Sequence, residues 1–186
     1  MIVNVNRNKA SRLINHGPVV LVTCGGAKEP NIITIAWVMP VSKDPPYVAI
    51  SVGAKRHSHK LISNKEEFVI CLPPLKLMNE VWICGTVSGA KTDKFKKVGL
   101  TPRKLEELAT PGIEECVAHL ECRVVNKIKA GDHTVFIGEI VHAEAVKEYF
   151  NADCTAKPAK ALTFHHLGSN RFAITGRQAI PSASRK

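Results

Sequence analysis

The chain has 186 residues, 45% of them hydrophobic, and carries 26 Lys and Arg against 16 Asp and Glu, a formal charge of +10 at pH 7. That size suits one domain with a well-buried core and leaves too little for two. Its longest apolar runs stop well short of the roughly 20 residues that cross a bilayer, which excludes a transmembrane helix. The first residues lack an apolar signal core and a small-residue cleavage pattern, so a cytoplasmic location is expected. The positive charge asks for an anionic partner. Nucleic acid is disfavoured, because cations are interleaved with acids, as in Lys65-Glu66-Glu67, and aromatic residues make up only 5%. Six cysteines lie apart with no CxxC, and are expected to be reduced and mostly buried.

In chain order, Met1 to Val5 reads as strand-like, and residues 8–14 as one or two helical turns ending at Gly17-Pro18. A strand over Val19 to Thr23 and a Gly25 to Pro30 hairpin turn follow. The Gly25-Gly26-Ala27-Lys28 run lacks phosphate-loop spacing and precedes a strand rather than a helix. Asn31 to Val41 reads as one strand and Tyr47 to Val52 as the next, separated by the Pro45-Pro46 turn. Ser58 to Asn64 fits a short helix with Ser58 at or near its N-cap.

A strand over Glu67 to Leu72 ends at Pro73-Pro74. A helix over Leu75 to Cys84 is broken at Gly85, and a short helix capped by Thr92 or Asp93 ends at Gly99. His119 to Val125 alternates as a half-buried antiparallel strand. The Ala130-Gly131-Asp132 turn returns the chain as a long strand from His133 to Val146, with a bulge or bend expected at Gly138. Ala161 to Gly168 and Arg171 to Ile174 give a terminal strand pair, and the tail from Ile180 is expected to be loosely ordered. Short strands joined by Gly/Pro turns predict a mainly β fold, a closed or nearly closed antiparallel barrel with peripheral helices. No GxGxxG or βαβ alternation supports a dinucleotide fold of parallel strands.

Several residues carry candidate chemistry. After Gly53 the cluster Lys55-Arg56-His57-Ser58 meets a helix start, where backbone N–H groups and cations converge on an anion. His57/His59 and His165/His166 lack a carboxylate or cysteine at ligand spacing, so no metal site is expected. Cys84, beside the Gly85 to Gly89 loop, is a candidate nucleophile without a paired base, and a small core thiol is the favoured reading. His133 begins a strand after Gly131-Asp132, where a rim histidine can transfer protons or simply stabilise the turn.

Taken together, NIITIAW (31–37), VSKDPP (41–46), VAIS (48–51), Ser58, Ser88-Gly89, DKF (93–95), GLTP (99–102) and GDHTVFIGEI (131–140) resemble the flavin reductase-like family with its FMN-binding split barrel, most closely the flavoredoxin-like branch. The resemblance runs in order over residues 10 to 170. It implies an FMN-binding antiparallel split β-barrel over 1–170, followed by a C-terminal strand and tail over 171–186. It also implies a homodimer with one FMN per subunit at or near the interface.

By position, the family pattern places Asn31, Thr34, Ala36 and Trp37 at the isoalloxazine. Ser51, Val52, Arg56, His57 and Ser58 surround the ribityl phosphate, and Ser88, Gly89 and Lys94 close the pocket. The chain departs from the pattern at His57, where many relatives have a small or hydroxyl residue. The implied function is an FMN-dependent oxidoreductase: a flavin or ferric reductase using NAD(P)H, or a flavoredoxin-type electron carrier. Its redox partners would be NAD(P)H, a ferredoxin-like protein, free flavin or a ferric complex, with His133 the candidate catalytic proton donor. The alternative is a non-catalytic basic module binding nucleic acid or an acidic protein.

Overall fold

The computed structural model describes residues 2–15, 17–157 and 164–174. A 3-10 helix over Arg7–Leu13 leads to strands β1 (Val20–Cys24), β2 (Asn31–Ile35), β3 (Val38–Lys43) and β4 (Pro46–Gly53). Helix α1 (His57–Lys65), β5 (Glu67–Leu72), α2 (Met78–Thr86) and α3 (Lys94–Val98) follow. The short strands β6 (Pro102–Arg103) and β7 (Gly112–Ile113) precede the long hairpin β8 (Ala118–Ala130) and β9 (His133–Ala145), and β10 (Phe164–Gly168) and β11 (Arg171–Ile174) close the described chain. The main sheet has seven antiparallel strands in the order β2-β1-β5-β8-β9-β4-β3. The fold is therefore mainly β and antiparallel, as the turn chemistry predicts. No helix among the described residues is long and apolar enough to cross a membrane.

Alternation along the strands divides the apolar side chains between two cores. Val20, Val22, Ile33, Ile50, Phe68 and Phe136 pack on one face of the sheet. Leu21, Ile32, Val69 and Cys71 point the other way, onto Val81 and Cys84 of α2 and Phe95 of α3. Strand β1 is consequently buried at every position, which is why Val19 to Val22 reads as a continuous apolar run. Each fully buried Leu, Ile or Phe in these clusters contributes about 1.5–3 kcal/mol.

One buried charge organises a loop. Glu121 of β8 is fully buried, and its carboxylate accepts the backbone N–H groups of Glu106, Glu107 and Leu108 at 3.3, 2.9 and 2.7 Å. His142 Nδ1 lies 2.9 Å from the same carboxylate.

Asn31 to Val41 is not one strand. The chain leaves the sheet at Ala36–Trp37 and re-enters as β3, so the single segment 31–43 supplies both edge strands. Strand propensity continues across the break, but the change of partner from β1 to β4 forces the bend. The Ser51 N–H donates to the Trp37 carbonyl at 2.9 Å and pins it there.

Other local expectations also shift. Ile2 to Val5 forms no strand and is exposed, since nothing among the described residues pairs with its backbone. Helix α2 continues through Gly85 to Thr86, where hydrogen bonds from the Thr86 hydroxyl to the Trp82 and Ile83 carbonyls secure its last turn. The bulge expected at Gly138 sits on the partner strand. Val124 pairs with Gly138 and Asn126 with Ile137, leaving Val125 as the extra residue. Gly138 itself serves close packing, because a Cβ there would lie 2.7 Å from Phe68 Cζ and 3.0 Å from Cys122 Cβ.

The cap of α3 follows expectation. The Asp93 side chain accepts the Lys96 N–H at 3.1 Å, and Gly99 ends the helix with φ 69°. Strands β10 and β11 pair as expected, whereas residues 161–163 and the tail from Ile180 lie outside the described residues.

Candidate functional site

The bend at Ala36–Trp37 opens a cleft of about 300 Å³ beside the sheet. Thr34, Ala36, Trp37, Ser51, Arg56 and His133, all singled out from the sequence, line it together. Trp37 is held from two sides: its indole N–H donates to Asn15 Oδ1 at 2.8 Å, and its ring lies 4.9 Å from the His133 imidazole at 41°. His133 Nδ1 is 2.8 Å from Asp132 Oδ1, and this hydrogen bond, with the attraction of the imidazole, holds the Asp132 carboxyl below its usual range. With Nδ1 engaged, Nε2 faces Gly53. A Cβ built on Gly53 would sit 3.6 Å from both His133 Nε2 and Arg56 Cγ, so the missing side chain leaves the space between them open.

Arg56 does a second thing: it is the N-cap of α1. An arginine accepts no hydrogen bond, so no side chain caps this helix. Uncapped N–H groups, the positive end of the helix dipole and a guanidinium meet at one point, a donor set suited to a phosphate.

Ser58 lies near the N-cap, as expected, two residues past Arg56 in the first turn; it is buried, and its hydroxyl accepts Asn31 Nδ2 at 2.7 Å. Asn31 also backs the Gly89 turn, where a Cβ would fall 1.9 Å from Asn31 Oδ1. Asn31, His57 and Gly89 line a separate, wider cleft of about 810 Å³ rimmed by Lys28, Lys91 and Lys96.

Three further sequence-derived residues lie outside the central cleft. Ser88 is exposed, with its hydroxyl accepting the Ala90 N–H at 3.4 Å. The Val52 side chain is packed in the core, since the alternation that turns Ser51 to the cleft turns Val52 away. Lys94 is buried, its Nζ donating to the carbonyls of Ile32 and Cys84 at 2.7 and 2.6 Å. Burial lowers its pKa. It bridges β2 to the last turn of α2 behind the cleft.

The sequence reading missed Asn15 and did not assign Gly53, Gly85 or His166 to the cleft, which all four line. Asn15 Nδ2 lies 3.4 Å from His166 Nδ1, although 151 positions separate the two residues. No local motif announces a contact of that range.

All six cysteines are free, with only Cys154 exposed. Burial pushes the Cys24 and Cys84 thiols up to about 11, so Cys84 is a core thiol rather than a nucleophile. A colorimetric thiol titration of the native protein is expected to register one fast-reacting cysteine, and all six only after unfolding. Loss of the fast phase in Cys154→Ser checks the assignment.

Residues 12–167 match the family model described as flavin reductase like domain. The uncharacterized protein YddH of Escherichia coli is 34% identical over 94% of this chain and 95% of its own. The NADH-dependent FAD reductase of Streptomyces globisporus is 32% identical over 67% of this chain and 68% of its own. Among solved structures, flavoredoxin from Methanosarcina acetivorans superposes with a TM-score of 0.88 at 24% identity, covering 100% of this chain and 97% of that one. With that fold, and with the family model spanning most of its length, the chain belongs to the flavin reductase-like family.

Proposed function

We propose that the protein is an FMN-dependent oxidoreductase that binds the flavin in the Thr34 to Trp37 cleft, with the phosphate at the N-terminus of α1. The observation that carries this reading is the meeting of Arg56, an uncapped helix start and the open Gly53 position at one end of the cleft. The donor set fits a phosphate dianion, and the apolar strand segment beside it fits a flat ring.

When bound, the flavin supplies the electron chemistry. The chain's own residues do the rest. Arg56 and the first N–H groups of α1 hold the phosphate. Trp37, fixed by Asn15, and the backbone from Thr34 to Ala36 orient the ring. Lys94 locks β2 to α2 behind the cleft, while Asn31 and Gly89 line the neighbouring, wider cleft, with Ser88 exposed next to Gly89. His133 turns Nε2 toward the cleft as the candidate proton-transfer group, its Nδ1 held by Asp132. Met39 and Val41 on the exposed β3 edge, with Trp37 just before it, favour a homodimer across that edge. NAD(P)H is the proposed donor and a flavin, ferric complex or ferredoxin-like protein the acceptor, in the cytoplasm.

Gel filtration of the protein with excess FMN is the direct test. Flavin absorbance is expected to co-elute in roughly equimolar amount, and NADH or NADPH is expected to bleach it. Protein that elutes colourless would overturn the reading.

A further inference from the structure

We propose that a second pocket, opening from the flavin cleft toward the β10–β11 hairpin, binds an uncharged planar aromatic carbonyl compound of the quinone class. Its use as the electron acceptor rests on the flavin reading above; the binding itself does not.

The pocket encloses about 330 Å³ between α2 and the hairpin. It shares Thr34, Ala36, Gly85 and His166 with the flavin cleft, so a ligand there lies against the space assigned to the ring. Its walls are aromatic. Trp82 of α2 and Phe172 of β11 meet edge to face, 6.4 Å apart at 89°, and Phe172 is braced the same way by the buried Phe164 at 5.6 Å. Edges and faces in that arrangement receive another flat ring well.

The polar lining narrows the class. Among the described residues no Lys, Arg, Asp or Glu lines the pocket. The Thr34 and Thr86 hydroxyls spend their protons on the α2 carbonyls of Val81 and Trp82. Both nitrogens of His166 are engaged, Nε2 with the Ser169 carbonyl at 2.8 Å and Nδ1 with Asn15. A charged ligand would lose its hydration without compensation. Trp82 lines the pocket and brings an indole N–H, a donor that makes no hydrogen bond among the described residues. A flat, neutral molecule carrying carbonyl oxygens satisfies all three conditions.

The chain has two tryptophans, so Trp37→Phe leaves Trp82 as the sole emitter. Titrating that variant, free of flavin, with 1,4-naphthoquinone is expected to give saturable quenching. Phe172→Ala is expected to weaken binding about tenfold, with Phe172→Leu in between. Calorimetry with the wild-type protein is expected to give the same quinone affinity in the presence of saturating FMN. Linear, unsaturated quenching would sink the proposal; so would displacement of the quinone by FMN, or unchanged affinity in a folded Phe172→Ala. Should FMN fail to bind at all, the flavin reading falls while the quinone titration still decides the pocket.

Discussion

Arg56→Ala is expected to weaken FMN binding by about 10- to 100-fold, the effect of losing a charge-assisted hydrogen bond worth about 1.5–3 kcal/mol. Arg56→Glu goes further, because a carboxylate then faces the phosphate at the start of α1. Riboflavin, which has the same ring and no phosphate, is expected to bind wild type and both variants with similar affinity. Flavin fluorescence titrations of the two ligands separate a phosphate contact from damage to the cleft. Equal losses for FMN and riboflavin would place Arg56 at the ring or in the fold instead. Arg56 is exposed and makes no ion pair among the described residues, so its removal is expected to leave the melting temperature nearly unchanged.

The largest expected loss of stability comes from Glu121→Ala. The substitution strands the N–H groups of Glu106, Glu107 and Leu108 and leaves His142 facing a gap. Breaking a buried charged network of this kind costs about 3–5 kcal/mol. For a chain of this length that lowers the melting temperature by about 10 °C or more. Glu121→Gln keeps the volume and one acceptor oxygen, and is expected to lose about half as much. Thermal unfolding followed by far-ultraviolet circular dichroism measures both. If Glu121→Ala melted with the wild type, the loop from Leu105 to Leu108 would owe nothing to the carboxylate.

Strands and turns were legible where chemistry is local. Pro45-Pro46, Gly131-Asp132 and the Asp93/Gly99 caps each act over a few residues, and each marks a boundary that the structure keeps. The bend at Ala36–Trp37 was not legible, because apolar residues continue through it and the reason for it is a second partner strand far along the sheet. The same limit applies to the site. Arg56 and His133 stood out through turn and charge patterns, and Trp37 through the family resemblance. Asn15 and His166 carry no local signature, and only the fold brings them to the cleft. Lys94 shows the opposite case: a lysine read from its motif as pocket closure has its ammonium turned inward to two carbonyls.

Because residues 31–43 form one edge of the sheet, turn at the cleft, and then form the other edge, a ligand lodged at the turn acts as a clasp. It ties together two strands that lie farthest apart in the sheet yet are joined by only two residues. Its binding energy is then shared with the architecture itself. Saturation at about 100 times the dissociation constant adds about 2.7 kcal/mol to the unfolding free energy. Protection from hydrogen exchange is expected to rise at both margins together, in β2 and in β3, while the central strands stay as they were. Occupancy of the cleft thus becomes readable as a change in how firmly the sheet holds its own ends.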